Sequence, residues 1–135
     1  MKTVFVDTFY WIAITNPQDR WHQRAKAVRE TLKARKFVTT ELVLIEFLNY
    51  FCAYNAQMQQ TATQVTRRIL SHPEVEVVWH ARDSFESGLT LYERCIDRRY
   101  SLVDCASIAV MRQRALVDVL SRNRHFAREG FNLLL

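Results

Sequence analysis

The sequence predicts an α/β fold, with a central parallel sheet of four to five strands and helices on both faces. Three observations carry that reading. Short apolar runs alternate with amphipathic stretches along the whole chain, the pattern of a parallel sheet with crossover helices. Glycine and proline number only 2 each, too few for an all-β fold with many tight turns. The chain has 135 residues, 49% of them apolar, which suits one domain with one core, and residues 1–135 are read as that single domain.

Val4–Phe5–Val6 is short, β-branched and aromatic, and reads as a buried first strand. Phe9 to Ile14 follows as a short helix ending near Asn16–Pro17. Trp21, Ala25, Val28 and Leu32 recur at steps of 4, 3 and 4, which marks an amphipathic helix. Phe37–Val38–Thr39 is the second strand, and a strongly apolar helix runs from Thr40 to about Tyr54. Met58, Ala62, Val65 and Ile69 repeat the 4, 3, 4 stepping in a helix that stops before His72–Pro73. Val75 to Trp79 is the third strand. Phe85, Leu89, Tyr92 and Ile96 give the apolar face of the next helix. A further helix runs from Ser101 to about Arg114, Val117 to Leu120 is the fourth strand, and Phe131 to Leu135 is placed as the fifth.

Composition excludes several chemistries. Two glycines cannot build a P-loop or a GxGxxG fingerprint. His22, His72, His80 and His125 lack the HExxH or HxxxH spacing of a zinc site, and no Gly-x-Ser-x-Gly elbow is present. Cys52, Cys95 and Cys105 are odd in number and form no CxxC pair, which points to a reduced, cytoplasmic chain. The start meets Asp7 after three apolar residues, so neither a signal peptide nor a membrane span is expected. Lys and Arg total 19 against 14 acids, a net charge of +5 that favours a polyanionic partner.

In sheets of this kind ligands bind beyond the carboxyl ends of the strands. Asp7 directly follows the first strand. It can serve as a helix N-cap or as a site carboxylate. Glu46 lies in Leu42–Val43–Leu44–Ile45–Glu46–Phe47–Leu48, where a carboxylate is costly unless paired, protonated or bound to a cation. It can equally lie on the helix's one polar stripe. Glu41 falls in the first helical turn, where the dipole favours an acid anyway. Asp104, three residues after Ser101, fits a capping box, which would also fix its position at a helix start. Ser121 and Asn123 follow the fourth strand at the ligand-binding end, whereas Asp118 is early in that strand. Several carboxylates converging in one crevice suit a hard cation such as Mg²⁺ or Mn²⁺.

The order of these landmarks resembles the PIN-domain nucleases, and within them the VapC-type toxins of toxin–antitoxin pairs. The resemblance rests on Val4–Phe5–Val6–Asp7–Thr8, Thr39–Thr40–Glu41–Leu42–Val43–Leu44–Ile45–Glu46, Ser101–Leu102–Val103–Asp104–Cys105 and Leu120–Ser121–Arg122–Asn123–Arg124–His125–Phe126, followed by Gly130–Phe131. It implies a PIN-like three-layer α/β/α fold, a homodimer, and a Mg²⁺- or Mn²⁺-dependent endoribonuclease, the toxin of a type II pair, held silent by an antitoxin. The family's core acids map onto Asp7, Glu46 and Asp104. Its fourth acidic position is Asn123 here, whose neutral side-chain carbonyl can ligate the cation without adding charge, with Asp97 as a nearby carboxylate that could compensate as a ligand. Arg98, Arg99, Arg112, Arg122 and Arg124 are the candidate phosphate-binding cations. Asn123 also raises an alternative, a catalytically weak PIN-like module that binds RNA or protein. A phosphatase of another α/β family ranks last, because Asp7–Thr8–Phe9 lacks the Asp-x-Asp of such enzymes. The homodimer is expected to use part of the Phe47, Tyr50, Phe51, Tyr54 and Met58 surface.

Overall fold

The first apolar run forms β1, Thr3–Val6, and its last three side chains are wholly buried. The computed structural model describes residues 2–32 and 35–135. β2 (Lys36–Thr40) and β4 (Asp118–Leu120) flank β1. β3 (Val75–Val78) lies outside β2, and β5 (Asn132–Leu133) outside β4. The order is therefore β3-β2-β1-β4-β5, and every pairing is parallel. Phe5 is the pivot, in register with Val38 on one side and Val119 on the other. Runs such as Val4–Phe5–Val6 are continuous rather than alternating because a central parallel strand is covered on both faces.

Right-handed crossovers place the connections that step from β1 to β2 to β3 on one face. These are α1 (Thr8–Thr15), α2 (His22–Thr31), α3 (Glu41–Phe51) and α4 (Ala56–Ser71). The return to β4 and β5 carries α5 (Arg82–Arg94), α6 (Leu102–Gln113) and the short α7 (Arg124–Arg128) on the other face. The core between sheet and helices includes Phe47 and Phe51 of α3, Ile108 and Met111 of α6, and Phe126 of α7. The direction of the strand order reverses between β1 and β4, which leaves a crevice at their carboxyl ends.

Caps explain most boundary differences. α3 stops at Phe51 rather than Tyr54, because Asn55 starts α4 by accepting the Met58 amide at 2.8 Å. β3 stops at Val78, leaving Trp79 64% exposed. Ser101 is the N-cap of α6, in a capping box with Asp104. α7 was not expected; Asn123 nucleates it by accepting the His125 amide at 3.0 Å.

The face of α5 is a larger correction. Phe85, Leu89, Tyr92 and Ile96 do not enter the core: they are 47%, 45%, 41% and 68% exposed. Instead α5 meets α6 through Gly88, where a Cβ would lie 3.3 Å from the Ala106 Cα. Cys95 and Cys105 are buried thiols, Cys52 is exposed, and all three are free. Among the described residues no helix is long and apolar enough to cross a membrane.

Candidate active site

Asp7, Glu46 and Asp104 line one open pocket of about 510 Å³, together with Thr8, Phe9, Ile12, Tyr50, Ser101 and Asn123. Three separate elements deliver the acids. Asp7 ends β1 and caps α1, Glu46 lies in the middle of α3, and Asp104 is in the first turn of α6. A second cavity, of about 360 Å³, lies among Tyr10, Trp11, Ile14, Phe37 and Val65 and has no carboxylate in its lining. Of these two, only the acidic pocket carries carboxylates.

Each acid is held by a neutral donor. Asp7 is almost fully buried, and its Oδ2 accepts the Ser121 hydroxyl at 2.8 Å. That bond closes the gap between β1 and the loop after β4. The Thr8 hydroxyl donates to Glu46 Oε1, tying α1 to α3. Asp104 accepts its own N-cap amide, Ser101 N, at 3.3 Å, and the Asn123 side-chain amide at 3.3 Å. The Nδ1 of His125 lies 3.1 Å from Asp104 Oδ2, and Tyr100 stacks on the imidazole with ring centroids 4.5 Å apart.

No arginine or lysine forms an ion pair with any of the three acids within the described residues. The consequence is electrostatic. Burial pushes the Asp7 carboxyl up to about 7; the Ser121 hydrogen bond opposes this, and the charges of Asp104 and Glu46 add to it. Burial also raises Glu46, against the Thr8 bond and with the Asp104 charge adding. A cluster of hard oxygen ligands with a charge deficit suits a divalent cation. Among the described residues, however, no three His, Cys, Asp or Glu side chains stand close enough to form a ready-made metal cage.

The other expected residues divide. Asn123 lines the pocket, but its carbonyl caps α7 and its amide nitrogen faces Asp104. Asp97 is outside the cluster, on the exposed 3-10 turn Ile96–Arg98; Arg99 then takes a left-handed conformation (φ 60) and Tyr100 turns inward. Arg98 and Arg112 are not free to bind phosphate: both grip Glu129, at 2.7 and 2.8 Å, together with the Tyr100 hydroxyl. Arg99 and Arg124 are exposed. Glu41 is a structural acid, accepting the His80 backbone amide and lying 2.6 Å from His80 Nδ1. Thr8 and His125 were missed by sequence reasoning, although each stands within two residues of a selected position.

The sequence matches the PIN domain family over residues 4–132. It is 30% identical, over 131 residues, to the 23S rRNA-specific endonuclease VapC20 of Mycobacterium tuberculosis, in both strain CDC 1551 / Oshkosh and strain ATCC 25618 / H37Rv. That alignment covers 95% of each chain. The fold is similar to the crystal structure of Mycobacterium tuberculosis VapC20, described as a sarcin-ricin loop cleaving toxin. The TM-score is 0.85, with 28% identity over 96% of both chains.

Proposed function

The chain belongs to the PIN domain family, and on that premise we propose that residues 1–135 form one metal-dependent endoribonuclease, the toxin of a type II toxin–antitoxin pair. The observation that supports this most directly is the convergence of Asp7, Glu46 and Asp104, from three elements, on one pocket at the sheet's switch point. Its substrate is RNA, and a cognate antitoxin protein keeps it silent. A reducing cytoplasm suits its three free cysteines.

Asp7 and Asp104, with Glu46, would hold Mg²⁺ or Mn²⁺. When bound, the cation would polarise a phosphoryl oxygen and lower the pKa of water in the pocket. The chain's own part is positional. Ser121 fixes the Asp7 carboxylate, and Asn123 and His125 fix that of Asp104. Thr8 orients Glu46 through Oε1, and the Glu46 carboxylate would meet the cation, directly or through water, or orient the attacking water. Asn123 contributes as a hydrogen-bond donor to Asp104.

A second copy of the chain is the remaining partner. Phe47 and Phe51 are buried within one protomer, so what the expected α3–α4 surface exposes is Ile45, Leu48, Tyr50, Tyr54 and Leu70. We place the homodimer contact on the exposed α5 stripe instead.

The test is cleavage of a mixed RNA pool by wild type and Asp7→Asn, with Mg²⁺, with Mn²⁺ and with EDTA. Cleavage by wild type with a metal, lost in EDTA and in Asp7→Asn, is the expected result. RNA binding without cleavage under every metal condition would favour the binding-module alternative. The observation on that side is that position 123 donates to an acid where the family pattern places another acid.

A further inference from the structure

A pocket of carboxylates repels the phosphates of its own substrate, so positive groups must hold the strand beside it. Arg98 and Arg112 are bound to Glu129, and Arg114 grips Glu76 at 2.7 and 2.8 Å. Two other arginines converge on a single indole. The Arg122 guanidinium stacks on Trp21 at 3.8 Å from the ring centroid, and Arg20 lies 5.0 Å from it. The Arg122 Nη1 also donates to the Leu135 carbonyl at 3.0 Å, so its plane is fixed from two directions. Trp21 is fixed as well, its amide donating to Asp19 at 2.8 Å.

This assembly borders the acidic pocket through two connections. Arg122 stands between Ser121, which bonds Asp7, and Asn123, which bonds Asp104. Trp21 packs against Phe9, a pocket-lining residue, with ring centroids 6.4 Å apart. A guanidinium held over an indole by its carbon keeps N–H groups beyond the one given to Leu135, and these suit a phosphate. The apolar Phe9 ring between them suits a sugar or base.

We propose that Trp21, Arg122 and Arg20 form a subsite that holds a phosphate of the RNA strand adjacent to the one being cut. The proposal rests on the ribonuclease reading above.

The experiment measures binding without cleavage. A short fluorescent single-stranded oligoribonucleotide is titrated in EDTA by anisotropy, over a series of KCl concentrations. Arg122→Gln should weaken binding about 10-fold and flatten the log affinity–log salt slope by about 0.7, the value of one phosphate contact on a single strand. Arg20→Gln should weaken it about 3-fold, as a less constrained phosphate contact. Trp21→Leu keeps both charges but releases the stack and should also lose affinity. Arg122→Lys should restore only part of it. Arg67→Gln, on the exposed side of α4, is the charge control and should match wild type. With metal present, KM for Arg122→Gln should rise by more than kcat falls. If Arg122→Gln does not fold, Arg20→Gln and Trp21→Leu decide by the same readouts. Wild-type affinity and slope in all the folded variants would overturn the subsite and leave the nuclease reading standing. If wild type neither binds nor cuts RNA, the nuclease reading fails and the subsite with it.

Discussion

At Asp7, burial and two neighbouring carboxylates raise the cost of ionisation together. In the folded, metal-free protein its carboxyl titrates near 7 instead of near its ordinary value of 3.8, so the native state holds a proton that the unfolded chain has released. Stability from this group is therefore present at low pH and lost as pH rises toward 7 and above. Asp7→Asn keeps an acceptor for Ser121 and removes the charge. It should raise stability at pH 8 in EDTA by roughly 1–4 kcal/mol, with the gain shrinking toward pH 5. Urea unfolding at the two pH values measures this, and equal stability at pH 8 would reject the strain assigned to Asp7. Added Mn²⁺ should reverse the order, raising the melting temperature of wild type and not of the variant. Position 123 gives a second case. Asn123→Asp can still cap α7, but it places a carboxylate where an amide now donates to Asp104. It should lower metal-free stability by about 1–2 kcal/mol and raise Mn²⁺ affinity in calorimetry. A variant that moves neither quantity would remove position 123 from the electrostatics of the pocket. That Asp7, Glu46 and Asp104 share one pocket was legible from their joint placement and from the resemblance, since each alone also reads as a cap or a polar-stripe acid. Of their partners, Ser121 and Asn123 stood out by following the fourth strand, but Thr8 and His125 did not, because they acquire their roles only when elements distant in sequence lie side by side.

At the scale of elements, α5 shows how periodicity can mislead. Phe85, Leu89, Tyr92 and Ile96 recur at regular helical steps, yet α5 ends at Arg94 before Ile96 and all four side chains are exposed. Gly88, beside that stripe on the helix surface, is what lets α5 approach α6, and a single glycine gives no periodic signal. Gly88→Val should therefore destabilise the protein by about 1–3 kcal/mol in urea unfolding, because its methyls meet the α6 backbone. A neutral outcome would mean that α6 can yield at Ala106. The outward stripe makes a prediction of its own. At tens of micromolar, roughly the range of a weak dimer, light scattering should give a dimer for wild type and a monomer for Leu89→Glu. A wild-type monomer would show that the stripe meets something other than a second copy. The remaining elements followed the sequence closely. Apolar runs of three or four residues suffice to mark buried parallel strands. α7 escaped because five residues are too few for any repeat, and only its cap at Asn123 marks it.

For the whole molecule, a net charge of +5 goes with a pocket lined by three carboxylates. Association with RNA should therefore weaken steeply with salt, with a log–log slope of about −0.7 for each phosphate engaged. Filter binding from low to high KCl measures it, and a flat dependence would exclude a phosphate-tracking surface. The alternation of strands and helices made the layered architecture legible. The strand order was not, because it depends on which neighbours β1 accepts, and both come from later in the chain. That order has a bearing on biosynthesis. The Ser121–Asp7 hydrogen bond spans 114 positions, and Asn123 and His125 arrive later still. A chain emerging from the ribosome carries Asp7 first but has no Ser121 after β4 to complete the crevice until 114 further positions have been made. Translation itself thus acts as a timer: the acidic pocket is complete only once synthesis has run from β1 through β4 to the start of α7.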